Sequence, residues 1–209
     1  HYNNIGDLLI WEGERSFLNN LSFKMKNTCS LLTYNDLCDK KVSDNTIILL
    51  QGGGNFGDIW RITQNFRLNI IKKYPNNKII IFPQTVYYKD KSLMESDAKI
   101  MSKHKNLIIC VRDTESHKIL KENFSNQILL LPDMAFCIAT ERFLPYLRPV
   151  IDKTLFLKRT DCELQKDVYK IPNKYPLDIH DWPTMEHFDI VQQGLRCMRL
   201  LRKLGIPFF

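Results

Sequence analysis

Short, almost continuous apolar runs alternate along this chain with stretches whose apolar residues recur every three or four positions. "TIILLQ" (46–51), "KIIIFPQTVYY" (78–88), "NLIICVRD" (106–113) and "QILLLPDMAF" (127–136) are β-branched apolar runs, the pattern of strands buried on both faces. Between them, "DIWRITQNFRLNIIKKYP", "ESDAKIMSKH" and "TESHKILKENF" read as helices. In the first, Ile59, Ile62, Phe66, Ile70 and Lys73 form one stripe, and Tyr74-Pro75 stops it. The third has a capping-box look, with Thr114 at its start and Glu115 in its first turn. Strands separated by helices predict an α/β fold, a parallel sheet with helices on both faces.

The two ends depart from this rhythm. "NNIGDLLIWEGERSFLNNL" predicts a turn and a helix without the strand that should precede them, so a strand is expected before His1. Pro145 and Pro149 interrupt the alternation. "TLFLKRTDCE" (154–163) restarts it, "VYKIPNKYPLDIHDWPTMEHFD" is loop-rich, and "FDIVQQGLRCMRLLRKLGI" reads as a helix. The expected organisation is a first domain over 1–140, a connector over 141–152 and an unfinished second domain over 153–209.

Composition narrows the class only a little. The 209 residues are 44% hydrophobic and 25% charged, enough apolar content for a globular core. No apolar run approaches the roughly 20 residues needed to cross a bilayer. None of the six cysteines forms a C-x-x-C pair, and Cys110 and Cys137 lie in apolar runs, so reduced structural thiols in a cytosol are expected. The net charge of +7 fits a lysine-rich surface, an anionic substrate or an anionic membrane face. No dense basic run with interleaved aromatics points to nucleic acid.

Two asparagine–hydrophobe–glycine–aspartate turns carry the candidate chemistry: "NNIGDLLIW" near the start and "QGGGNFGDIW" at 51–60. A glycine-rich turn between a parallel strand and a helix sets backbone N–H groups at the helix N-terminus, where anions are favoured. Glycine also lets a ligand approach the backbone. The stretch is neither a complete dinucleotide fingerprint nor a P-loop, because no acidic ribose binder is evident and no Gly-Lys-Ser/Thr follows. Asp7 and Asp58 stand where each helix is expected to begin, as N-cap carboxylates or as groups that orient a sugar hydroxyl or act as a base.

"NNIGD", "GGGNFGDIW", "FPQTVYY", "VRDTES", "LPDMAF" and "LKRTDCE", in this order, make the chain resemble the polysaccharide pyruvyl transferase family over nearly its whole length. The resemblance implies a GT-B-like enzyme of two Rossmann-type domains, the second incomplete here. Its donor would be phosphoenolpyruvate and its product a pyruvate ketal on two hydroxyls of a sugar, for exopolysaccharide, capsule or cell-wall glycan. It implies no cofactor and no metal, a glycan-lipid or nucleotide-linked acceptor, and a cytoplasmic site of action, with the basic surface as a hypothetical tether to the inner face of the membrane.

Carried over by the same resemblance, the catalytic candidates are Asp7, Asp58 and Arg112. The substrate-binding candidates are Asn4, Gly6, Gly53, Gly54, Asn55, Gly57, Gln84, Tyr88, Asp133, Arg159 and Asp161. Arg112 and Arg159 suit a forked grip on phosphate or carboxylate; each has the alternative of a structural ion pair. Gln84 suits a sugar hydroxyl or, alternatively, a strand-end backbone group. The family's late Arg-x-His motif, whose histidine is a plausible general acid, is not found. His104 and His117 read as surface helix positions, His180 and His187 as loop residues; Asp178, His180 and Asp181 only imitate a metal cluster. Two rival functions remain: a glycosyltransferase of the same two-lobed shape, and a non-catalytic carbohydrate-binding relative.

Overall fold

The computed structural model describes residues 4–31, 33–34, 42–146, 154–158 and 176–180. The chain divides into two compact units, the larger built on Leu9–Ala139 and the smaller on Thr140–Ile206 together with Tyr2–Leu8.

The larger unit is a parallel sheet: β1 (Ile48–Leu50), β2 (Gly53–Gly57), β3 (Ile79–Tyr87), β4 (Leu107–Val111) and β5 (Gln127–Leu130). Strands β1 and β2 both pair with β3, the first along Ile79–Ile81 and the second from Gln84 to Tyr87. They are one interrupted strand, broken at Gln51-Gly52. Strands β4 and β5 follow in sequence on the other side of β3. The helices are α1 (Ile5–Asn19), α2 (Arg61–Lys73), α3 (Lys91–Met101) and α4 (Thr114–Asn123).

Both faces of the sheet are covered, as the apolar runs predict. Leu68 and Ile71 of α2, Met94 and Met101 of α3, and Leu120 of α4 share one core with Ile79, Ile81, Ile109 and Ile128. On the opposite face Ile10 of α1 joins Phe82 and Met134, and Phe17 meets Phe82 edge-on at 6.3 Å. The alternation along β3 inverts midway: Ile79 and Ile81 face the large core, Phe82 faces away, and Val86 returns to it. The register with β4 shifts between Ile81 and Gln84, at Pro83, which has no N–H for a ladder and so belongs at such an irregularity.

In the smaller unit Thr140–Tyr146 is 3-10 helical, and β6 (Thr154–Leu157) pairs in parallel with β7 (Leu177–His180). His180 therefore sits on an exposed strand rather than in a loop, 3.2 Å from Asp178. Among the described residues no group of three metal-ligating side chains is assembled, and no helix is long and apolar enough to cross a membrane.

Four local expectations are corrected. Gly53–Gly57 is a strand, not a turn, so its N–H groups join a ladder instead of opening a helix. Helix α2 starts at Arg61 behind Trp60, which makes no side-chain cap, and it buries Gln64, Arg67, Leu68, Ile70 and Ile71, while Ile62 is 76% exposed. The predicted stripe was thus rotated, because the buried face contains polar residues. The cap of α4 is Asp113 rather than Thr114: its carboxylate accepts from the Ser116 N–H. His104 is buried, beyond the end of α3, with Nε2 donating to the Tyr74 carbonyl at 3.0 Å.

Candidate functional site

The carboxyl ends of β1, β4 and β5 and the middle of β3 bring one group of the predicted residues together. In β3, the bulge at Pro83 turns Gln84 into the protein, where it is 0% exposed and its Nε2 donates to the Gln51 carbonyl at 2.6 Å. That is the structural alternative foreseen for this amide. Its neighbour Thr85 takes a hydrogen bond from Arg112 Nε at 2.8 Å and donates to Asp113 at 3.0 Å. Asp113 also accepts from the Ser116 N–H at 2.7 Å and the Ser116 hydroxyl at 2.9 Å, and that hydroxyl in turn accepts from the Val86 N–H.

Arg112 is half-enclosed by this frame. Its Nη1 donates to Asp133, whose other oxygen accepts from the Ala135 N–H. Among the described residues Nη2 has no partner, and it lies 3.6 Å from where a side chain on Gly54 would begin. Gly54 is exposed and has neither a positive φ nor any closer neighbour there, so nothing in the fold demands glycine. The missing side chain leaves room beside a guanidinium N–H, which suits close approach of a ligand.

Other glycines have different reasons, and Gly53 has a positive φ of 128°. Gly57 has φ +126°, and a Cβ would lie 1.7 Å from the Tyr87 carbonyl oxygen. On α1, a Cβ at Gly13 would lie 1.8 Å from the Met134 carbonyl oxygen, so only glycine lets the helix press against the turn after β5.

That close approach positions a residue the sequence reading did not single out. Glu14 is 1% exposed, and its Oε1 accepts from the Gly52 N–H at 2.7 Å. Burial, opposed by the Gly52 hydrogen bond and reinforced by the charge of Asp133, pushes its carboxyl up to about 7. A signal was available: Ile10, Glu14 and Leu18 recur at helical spacing, so an acid sits on the apolar stripe of α1.

The other predicted residues lie elsewhere. Tyr88 and Asn55 belong to a buried polar network. Asp97 accepts from Tyr88 at 2.8 Å, from Gln64 at 2.9 Å and from both forks of Arg61 at 2.7 Å. Arg67 stacks over Phe56 and donates to the Asn55 side chain at 2.6 Å. Burial first, then Asp97, pushes the Tyr88 phenol far above its ordinary range, so it stays a donor. Asp58 does not cap α2; its carboxylate accepts from the N–H groups of Lys89 and Asp90, both at 2.7 Å, and fastens the β3–α3 turn.

In the smaller unit's first segment, Asn4 caps α1, its Oδ1 accepting from the Gly6 N–H at 2.8 Å. Asp7 falls in the first helical turn and is not the cap. Arg159, Asp161 and His187 lie outside the described residues. Cys110 is a buried thiol outside any disulfide, pushed up to about 11 by burial and so kept protonated.

The sequence profile of the polysaccharide pyruvyl transferase family matches residues 4–204. EpsO of Bacillus subtilis, assigned to pyruvyl transfer in name without proof, is 35% identical over 185 residues, covering 88% of this chain and 55% of EpsO. Pyruvyl transferase 1 of Schizosaccharomyces pombe is 26% identical over 168 residues, covering 77% of this chain and 42% of the yeast protein. The chain thus spans about half the length of the curated relatives it matches. The crystal structure of a functionally uncharacterised Klebsiella pneumoniae protein superposes with a TM-score of 0.58 at 20% identity, over 94% of this chain and 68% of that one. At that identity it is a likeness of fold.

Proposed function

Because the chain belongs to the polysaccharide pyruvyl transferase family, we infer that it provides the donor site of an enzyme that moves the enolpyruvyl unit of phosphoenolpyruvate onto a sugar. In this reading the larger unit is the Rossmann-like first half of a GT-B-like pair. The acceptor is a glycan-lipid or nucleotide-linked sugar, and the reaction runs in the cytoplasm, beside the membrane where such acceptors lie.

The chemistry asks little of a cofactor. A general acid protonates the methylene carbon of the donor, and a sugar hydroxyl captures the positive charge that develops on the neighbouring carbon as a base takes its proton. A second hydroxyl then displaces phosphate and closes the ketal. The donor is a compact polyanion, so its site needs a directed cation and an accessible backbone.

The observation that carries this reading is the space at Gly54 beside Arg112 Nη2. Asp133 and Thr85 fix the guanidinium by Nη1 and Nε and leave the remaining nitrogen directed at a glycine with no structural reason to be one. Calorimetric titration with phosphoenolpyruvate, with UDP and GDP as controls, tests it. Phosphoenolpyruvate should bind, and Gly54→Val should abolish binding without loss of fold. Tight binding of UDP or GDP with no phosphoenolpyruvate signal would move the assignment to a glycosyltransferase.

A further inference from the structure

Glu14 has no part in the reaction as set out above, yet it is the most deeply buried acid of the cluster. Three elements enclose it. The link between β1 and β2 contributes the Gly52 N–H. Strand β3 contributes Phe82 and Pro83, which are next to Gly52 and carry no charge. The turn after β5 contributes Asp133, the like charge acting on Glu14, with Arg112 behind it. On its own helix, Glu12 and Arg15 pair with each other at 3.3 Å on the exposed side.

We propose that Glu14 is a positioning residue of the donor site: accepting from the Gly52 N–H, it fixes the Gly52–Gly54 backbone and leaves Asp133 and Arg112 paired to receive an anion. Ionised, it adds a second carboxylate beside Asp133, and the site loses affinity for a polyanion. This rests on the reading that the site takes phosphoenolpyruvate. Three features support it independently. Gly13 brings α1 into contact with the turn that carries Asp133. The Gly52 amide is committed to the Glu14 carboxyl. The acid is shielded from the water that would otherwise stabilise its charge. The ordinary titration of an exposed glutamate, near 4.5, is displaced to about 7, within reach of cellular pH.

Two measurements on the chain test it. The first follows the Gly52 backbone amide by NMR against pH without ligand. The amide should shift with a midpoint near neutrality; Glu14→Gln should remove the transition, and Asp133→Asn should lower its midpoint by removing the like charge. The second measures phosphoenolpyruvate affinity between about pH 6 and pH 8.5, with the donor's own titration common to both proteins. The parent should lose about tenfold more affinity than Glu14→Gln, as expected for one coupled charge. A Gly52 amide that does not titrate, or identical affinity profiles in parent and variant, overturns the proposal. Should Glu14→Gln fail to fold, the Asp133→Asn midpoint decides, and an unmoved midpoint counts against it. Titration of Gly52 with no phosphoenolpyruvate binding at any pH overturns the donor reading and the affinity claim, while leaving Glu14's hold on the glycine link established.

Discussion

At residue 57 a single methyl group separates a paired strand from a broken one. Gly57→Ala must leave a positive φ and push against the Tyr87 carbonyl, so it should destabilise the fold by on the order of 3 kcal/mol in chemical denaturation. Gly54→Ala, three residues earlier, meets only the Arg112 guanidinium at an ordinary contact distance of 3.6 Å and should leave the denaturation midpoint within experimental scatter. Glu14 makes a prediction of a different kind. Its folded-state pKa is raised from 4.5 to about 7, so the folded state holds a proton that the unfolded chain releases at lower pH. The stabilisation is fully present below about pH 4.5 and is lost as pH rises through 7, by on the order of 3 kcal/mol. Glu14→Gln should flatten that slope. The glycines were legible in the sequence as a cluster but not by role. Gly54 is open, Gly57 is strained and Gly13 went unnoticed, and only the neighbouring backbone separates these cases.

Within the elements, period-2 and period-3.6 reasoning located the strands and helices, because their apolar faces meet one core. It failed where polar residues are inside. Gln64 and Arg67 occupy the buried face of α2 and Asp97 that of α3, so counting apolar residues turned the α2 stripe toward solvent. The same network holds Tyr88, a substrate-binding candidate by resemblance, as a donor to Asp97. Tyr88→Phe removes one of the donors to Asp97 and should cost about 1–2 kcal/mol in stability. It should leave phosphoenolpyruvate affinity unchanged; a tenfold loss with no change in stability would restore Tyr88 as a substrate contact. The glycine stretch misled for a related reason. Four glycines within six residues, with Asn and Asp, read as a turn, yet β3 supplies a ladder that only a side-chain-poor strand can join at Gly57.

For the whole molecule, the net charge of +7 motivates the proposed placement at an anionic membrane face. Co-sedimentation with vesicles containing anionic lipid should exceed that with neutral vesicles and fall as salt rises; equal recovery with both removes the tether. Family membership was legible because six short motifs keep their order over nearly the whole chain. Glu14 escaped notice because its environment is assembled from segments far apart in sequence. That distance bears on how the chain assembles. Each of β3, β4 and β5 emerges from the ribosome to find its neighbour already made, so the sheet can grow by addition at one edge. Helix α1 cannot be secured in this order. Glu14 waits 38 residues for Gly52, and Gly13 waits for Met134 beyond the last strand of the sheet. Helix α1 precedes the sheet in the chain yet is locked only after β5, and the proposed anion site comes into being with that closure.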